Sequence, residues 1–184
     1  MSPNSDQLAS AVLSARSWLL LTKDRHSLQH GGNDGYEEEL GHNYRFDSTV
    51  PNHLELTLGD RILLWNGSIL LGISRISDLT TRPSSKVRHR CPMCTATKIK
   101  PRKTLSPTYR CHGCRAEFDA PIREDLIIQE YLLEYSQHWS AFQGESSAQQ
   151  IRGLAISSKS QHSMRELNSQ KLTSFLIHHD IPIQ

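Results

Sequence analysis

The chain has 184 residues, 36% of them hydrophobic, with a mean hydropathy of −0.51 and a net charge of +2. That length suits one domain with an inserted module, and the low apolar fraction predicts polar tails or an exposed binding surface. No apolar run approaches the roughly 20 residues that cross a bilayer, and the first residues lack the basic-then-apolar layout of a secretory leader.

In chain order, Ser5 to Arg16 repeats Leu8, Val12 and Ala15 at helical spacing and predicts a short amphipathic helix. Trp18 to Thr22 reads as a buried strand. Asp24 to Gly41, with Gly31-Gly32-Asn33-Asp34-Gly35, reads as a long loop. Tyr44-Arg45-Phe46 opens an ordered segment running into Asp47-Ser48-Thr49-Val50-Pro51-Asn52-His53. A hairpin follows, with strands Arg61 to Trp65 and Ser68 to Ile76 and Asn66-Gly67 as a two-residue type I′ turn. Leu126 to Tyr135 alternates in two registers, which favours a bulged strand over a helix. Ser146 to Leu154 and Asn168 to His179 predict short helices, the second with Leu172, Phe175 and Leu176 on one face.

Between the hairpin and that strand stands the strongest signal. Cys91, Cys94, Cys111 and Cys114 are all the cysteines, in a C-x2-C-x16-C-x2-C array. Each pair puts two thiolates on one tight knuckle, and two knuckles close a tetrahedral site around Zn²⁺. With four cysteine ligands and no open position, the ion is expected to be structural. His112, between the last two thiolates, reads as a knuckle residue facing solvent. One site uses every thiol, so the reducing cytoplasm is the expected location.

The cysteines lie in the most basic part of the chain. Leu79 to Ala116 contains ten of the 21 Lys and Arg residues and no Asp or Glu, leaving 11 basic against 19 acidic residues elsewhere. Arg88, Arg90, Lys98, Lys100, Arg102, Lys103 and Arg110 are therefore candidates for contacting a nucleic-acid backbone. Such contacts position a polyanion without reading its sequence. Trp18, Tyr36, Tyr44, Phe46 and Trp65 are candidate pocket aromatics, on which an extruded base stacks. The amides and carboxylates of Asp47 to His53 are placed to address its edge. For Trp18 and Trp65, burial in a core is the favoured reading. Catalytic motifs are missing: no nucleophile elbow, phosphate loop, HExxH or acidic nuclease cluster occurs.

Several segments occur together in one order. They are Trp18-Leu19-Leu20-Leu21, the glycine-containing loop, Tyr44 to His53, Leu58-Gly59-Asp60, Leu71-Gly72-Ile73-Ser74-Arg75-Ile76, the cysteine ribbon, and Ser158 to Arg165. Together they resemble the N-terminal reader domain of a bacterial family whose other half is an HNH endonuclease. The resemblance implies a mostly β fold: a PUA/EVE-like β-barrel interrupted by a zinc ribbon, with short flanking helices. It implies an N-terminal helical extension over 1–16, the barrel with C-terminal helices over 17–80 and 121–184, and the ribbon over 81–120. It also implies a base-flipping pocket for modified cytosine involving Trp18, Tyr44, Phe46, Asp47, Ser48 and His53. The expected partner is double-stranded DNA with modified bases, in restriction of foreign or phage DNA, with no membrane. Only 19 residues follow Arg165, too few for an HNH fold, so the chain is expected to be the reader alone, either cut down from a longer protein or working with a partner nuclease. Rival readings are a chain that is itself a nuclease, a PUA-like RNA-binding protein, and an adaptor docking a protein through its ribbon.

Overall fold

The structure, a computed structural model, describes residues 15–22 and 38–182. The expected helix over Ser5 to Arg16, except its last two residues, and the Asp24 to Gly41 loop with the candidate Tyr36, except its last four residues, lie outside them. The fold is mostly β, and the chain divides into two units. Among the described residues, one comprises 15–22, 38–81 and 130–182, the other 82–129.

In the first unit, a five-stranded sheet is built from β1 (Ser17–Leu21), β3 (Arg61–Trp65), β4 (Leu70–Arg75), β10 (Ser140–Ala141) and β11 (Met164–Glu166). Its order is β10-β4-β3-β1-β11. Strands β1 and β3 are its parallel pair, with Leu19 beside Leu63 and Leu21 beside Trp65. Both are covered on two sides, which is why they read as unbroken apolar runs, WLLL and ILLW, rather than as alternation.

A second sheet is ordered β2-β9-β5, from β2 (Asn43–Asp47), β9 (Ile122–Glu134) and β5 (Asp78–Arg90). Strand β2 pairs antiparallel with the last five residues of β9, Phe46 opposite Tyr131. Pro83 lies in β5, an edge strand, where a missing ladder donor is tolerated.

Two clusters make the core of the first unit. Trp18, Leu20, Ile62 and Leu64, on one face of the five-stranded sheet, pack with Tyr44, Phe46, Tyr131 and Leu133. Leu19, Leu63 and Trp65, on the other face, pack with residues of two helices, α1 (Ala148–Gly153) and α2 (Ser169–His178). Ser147 and Gln150 form a reciprocal capping box on α1, and Asn168 caps α2 by accepting from the Lys171 amide. Buried α2 residues are Leu172, Phe175 and Leu176, the face its periodicity predicts.

Two expectations need correction. The strands close into no barrel among the described residues; they form open sheets. Nor is the hairpin turn a two-residue one. β3 and β4 are joined by Asn66–Ile69, where the Asn66 side chain accepts from the Ser68 and Ile69 amides and the Asn66 amide donates to the Ile69 carbonyl. Only Gly67 has positive φ there, +99°, so the type I′ requirement for two such residues is unmet. The ladder shifts register between Leu64 and Trp65 to absorb the longer loop. Residues 126–134 are extended within β9, as the alternation favoured, while Tyr135 leaves the strand; the buried face changes from even to odd positions at Glu130 and Tyr131.

Candidate metal centre and basic ribbon face

The second unit contains a three-stranded antiparallel sheet of β6 (Ile99–Pro101), β7 (Tyr109–Cys111) and β8 (Glu117–Phe118). Its small core is Cys91, Ile99 and Cys111 with Ala96, Tyr109, Ala116 and Phe118 around them, and the Tyr109 and Phe118 rings stack at 6.0 Å. So little apolar material is a weak basis for a fold, and a staple is expected.

The four cysteines supply it. Their Sγ atoms all lie within 4.8 Å of one another, with no disulfide. Cys91 to Cys114 is 3.7 Å and Cys94 to Cys111 is 3.6 Å. A tetrahedral ion with metal–sulfur bonds of about 2.3 Å requires edges of about 3.8 Å. The thiols therefore form a group that could hold a metal ion.

The two knuckles are near copies. The Cys91 amide donates to the Ala96 carbonyl, and the Cys111 amide to that of Ala116, both at 2.9 Å. Met93 N donates to Cys91 Sγ, and Gly113 N to Cys111 Sγ, at 3.4 and 3.3 Å. After each pair the chain turns through a left-handed residue, Thr95 at φ +57° and Arg115 at +64°. Neither is glycine, so the loop closure holds both against a steric preference for negative φ.

Amide donors favour thiolates. The Cys114 amide, aided by Gly113 and neighbouring thiols, brings the Cys111 thiol down to about 6. Cys114 is pushed up to about 12: the Ala116 amide favours its thiolate, but Cys94, burial, Cys91 and Cys111 together outweigh it. Four thiolates this close repel one another unless a cation stands among them.

The sheet also arranges the cations. Lys100 and Arg110 are directly opposite on β6 and β7, both exposed. Like charges in that position destabilise a ladder unless something anionic joins them. With Lys103 and His112 they line a cavity of about 430 Å³. Lys98 is exposed beside it, its carbonyl accepting from the His112 amide at 2.8 Å.

The other three candidates are engaged. Arg88 and Arg90 both donate to Glu124 Oε2, at 2.8 and 2.7 Å, and Arg88 before Arg90 drives that carboxyl down to about 2. Arg102 grips Glu117 through both oxygens and also donates to the Pro107 carbonyl. Glu117 and Glu124 lie just beyond the acid-free stretch, so a linear charge count misses them.

The six residues expected at a base pocket lie in the first unit. Trp18, Tyr44, Phe46 and Asp47 are at most 4% exposed, whereas Ser48 and His53 are half-buried. Trp18 Nε1 donates to Asp60 Oδ2 at 3.0 Å, and the Tyr44 hydroxyl donates to the Leu21 carbonyl. Phe46 stacks on Tyr131 with centroids 4.9 Å apart, and His53 leans on the same tyrosine at 5.7 Å. Asp47 Oδ1 accepts from the Thr49 amide and hydroxyl. A cavity of about 560 Å³ elsewhere in this unit is lined by Arg61, Arg75, Trp139, Phe142 and His179, and by none of the six. Among the described residues, no helix is long and apolar enough to cross a membrane. Comparison with protein-family models, curated proteins and solved structures gives no match.

Proposed function

We propose that this chain binds double-stranded DNA through its basic ribbon and reads modified cytosine, serving restriction of foreign or phage DNA in the cytoplasm. The observation that carries the reading is the cross-strand pair Lys100–Arg110, flanked by Lys103 and His112 on one exposed face. Two fixed cations on adjacent strands, about 5 Å apart in backbone, match closely spaced phosphates and release counterions on binding. The modified-cytosine part rests on the resemblance, on the half-buried Ser48, and on the half-buried His53 beside the Phe46–Tyr131 stack. On the resemblance, cleavage is assigned to a partner or fused nuclease.

The four thiolates are proposed to hold Zn²⁺. Bound there, the ion would neutralise the thiolates and fix β6 to β8, a structural role. Cys91, Cys94, Cys111 and Cys114 would be its complete ligand set, and Lys98, Lys100, Lys103 and Arg110 the residues that meet phosphate.

The test is binding of the metal-loaded chain to duplexes carrying cytosine, 5-methylcytosine or 5-hydroxymethylcytosine at several salt concentrations. Tighter binding to a modified duplex, with affinity falling steeply as salt rises, is expected. Equal affinities remove the modified-base reading; salt-independent or absent binding removes the nucleic-acid reading altogether.

A further inference from the structure

A second cationic site stands in the first unit, away in sequence from the ribbon. Arg165 is only 6% exposed, yet it forms no ion pair with a carboxylate among the described residues. Its Nε donates to the His162 carbonyl at 2.8 Å, while its buried Nη1 has no partner. A buried guanidinium without a counter-ion is costly, because its desolvation is uncompensated. The environment makes this worse. Arg152 lies close enough to disfavour its charge, and both guanidiniums face the ring of Trp65, at 5.5 Å for Arg152 and 5.4 Å for Arg165. Stacking on an indole recovers part of that cost. It supplies no negative charge.

Arg165 lines a cavity of about 400 Å³ together with Asn52, Ser157, Ser160 and His162. Each offers a hydrogen-bonding side chain, and the Asn52 amide group already donates to the Met164 carbonyl at 3.0 Å, fixing that wall. Glu166 also borders the cavity, its carbonyl accepting from the Ile156 amide. As the next residue along β11 its side chain projects opposite to that of Arg165, and its charge acts on Arg16. The unmet requirement is thus an oxyanion, held by one buried fork of donors and several neutral ones.

We propose that the Asn52–Ser157–His162–Arg165 cavity is an oxyanion site that takes a phosphate group. The phosphate comes either from the backbone of a bound nucleic acid or from a free phosphate. The site is separate from the ribbon face, and its argument does not use the ribbon's function.

The test uses the full, metal-loaded chain and two probes, inorganic phosphate followed by phosphorus-31 linewidth and a 12-base-pair duplex followed by fluorescence anisotropy. Arg165→Gln removes the guanidinium. His162→Glu, at an exposed position, places a negative charge at the rim without disturbing the core and covers the case in which Arg165→Gln fails to fold. Weakening of phosphate binding by about tenfold in either variant is expected, the effect of one lost charge-assisted contact. If duplex affinity falls in parallel, or falls while free phosphate never binds, the phosphodiester is the source. If free phosphate binding is lost and the duplex is unaffected, free phosphate is. Unchanged binding of both probes by His162→Glu, or no binding of either by the unaltered chain, overturns the site. Lys100→Glu with Arg110→Glu serves as the independent control: it should abolish duplex binding and leave inorganic phosphate untouched.

Discussion

Glu38 is a residue of the first unit whose protonation is coupled to folding. Burial raises its carboxyl from 4.5 to about 7, against the opposing pull of the Thr22 hydroxyl and the Arg45 backbone. Its folded value exceeds its unfolded value, so the stability it contributes is complete below pH 4.5. That contribution is lost as pH rises through about 7. Glu38→Gln should therefore flatten the pH dependence of unfolding between those limits and stabilise the chain at pH 8 by on the order of 2 kcal/mol. Denaturant titration at pH 5 and pH 8 checks both. Glu124 behaves oppositely. Held near 2 by Arg88 and Arg90, it stabilises above its ordinary value of 4.5, and that contribution disappears as pH falls towards 2. Glu124→Gln also releases two arginines, so duplex affinity at low salt should rise severalfold, with a steeper salt slope. Anisotropy titration at two salt concentrations measures it; an unchanged slope would mean the freed arginines reach no phosphate.

At the level of elements, two substitutions separate local from tertiary contributions. Asn168→Ala removes the cap that accepts from the Lys171 amide and should cost about 1 kcal/mol. Leu63→Ala, at a fully buried position between sheet and helices, should cost about 2–5 kcal/mol. Thermal unfolding resolves the difference. The elements were legible where pattern and burial agree: the apolar runs 18–21 and 62–65, the capped helices, and the cysteine spacing. They were illegible where tertiary partners decide. Tyr44 has an apolar body and a polar tip and suits a core or a ligand pocket equally well, whereas for Trp18 the core reading is favoured and its burial agrees, with only the partner of its polar tip left open. Only Asp60 and the Leu21 carbonyl, distant in sequence, show which groups satisfy those tips. The hairpin loop was misjudged because the Asn66 side chain replaces backbone donors' partners, letting Ile69 leave the strand. Arg165 stood out only as the end of the Ser158 to Arg165 segment, since its unpartnered buried nitrogen is visible only in three dimensions.

For the whole molecule, the division into units predicts uneven dependence on metal. The ribbon's core is three buried residues and four flanking ones, whereas the first unit buries two full clusters. A chelator such as EDTA should therefore remove amide hydrogen-exchange protection from 91–118 while residues 17–21 and 61–75 keep theirs. Exchange monitored by mass spectrometry, with and without chelator, distinguishes this from global unfolding. Equal loss in both regions would show the first unit to depend on the ribbon. Duplex binding should disappear with the ribbon, and inorganic phosphate binding at Arg165 should survive.

The two halves of the clamp are alike in hydrogen bonding but not in shelter. Cys91 and Cys111 are buried, whereas Cys94 and Cys114 are exposed. A peroxide or hypochlorite would thus meet one exposed cysteine from each knuckle first. Those two belong to opposite knuckles, so their oxidation strips half of each grip at once, and the same geometry that fastens the finger leaves it open to oxidative release.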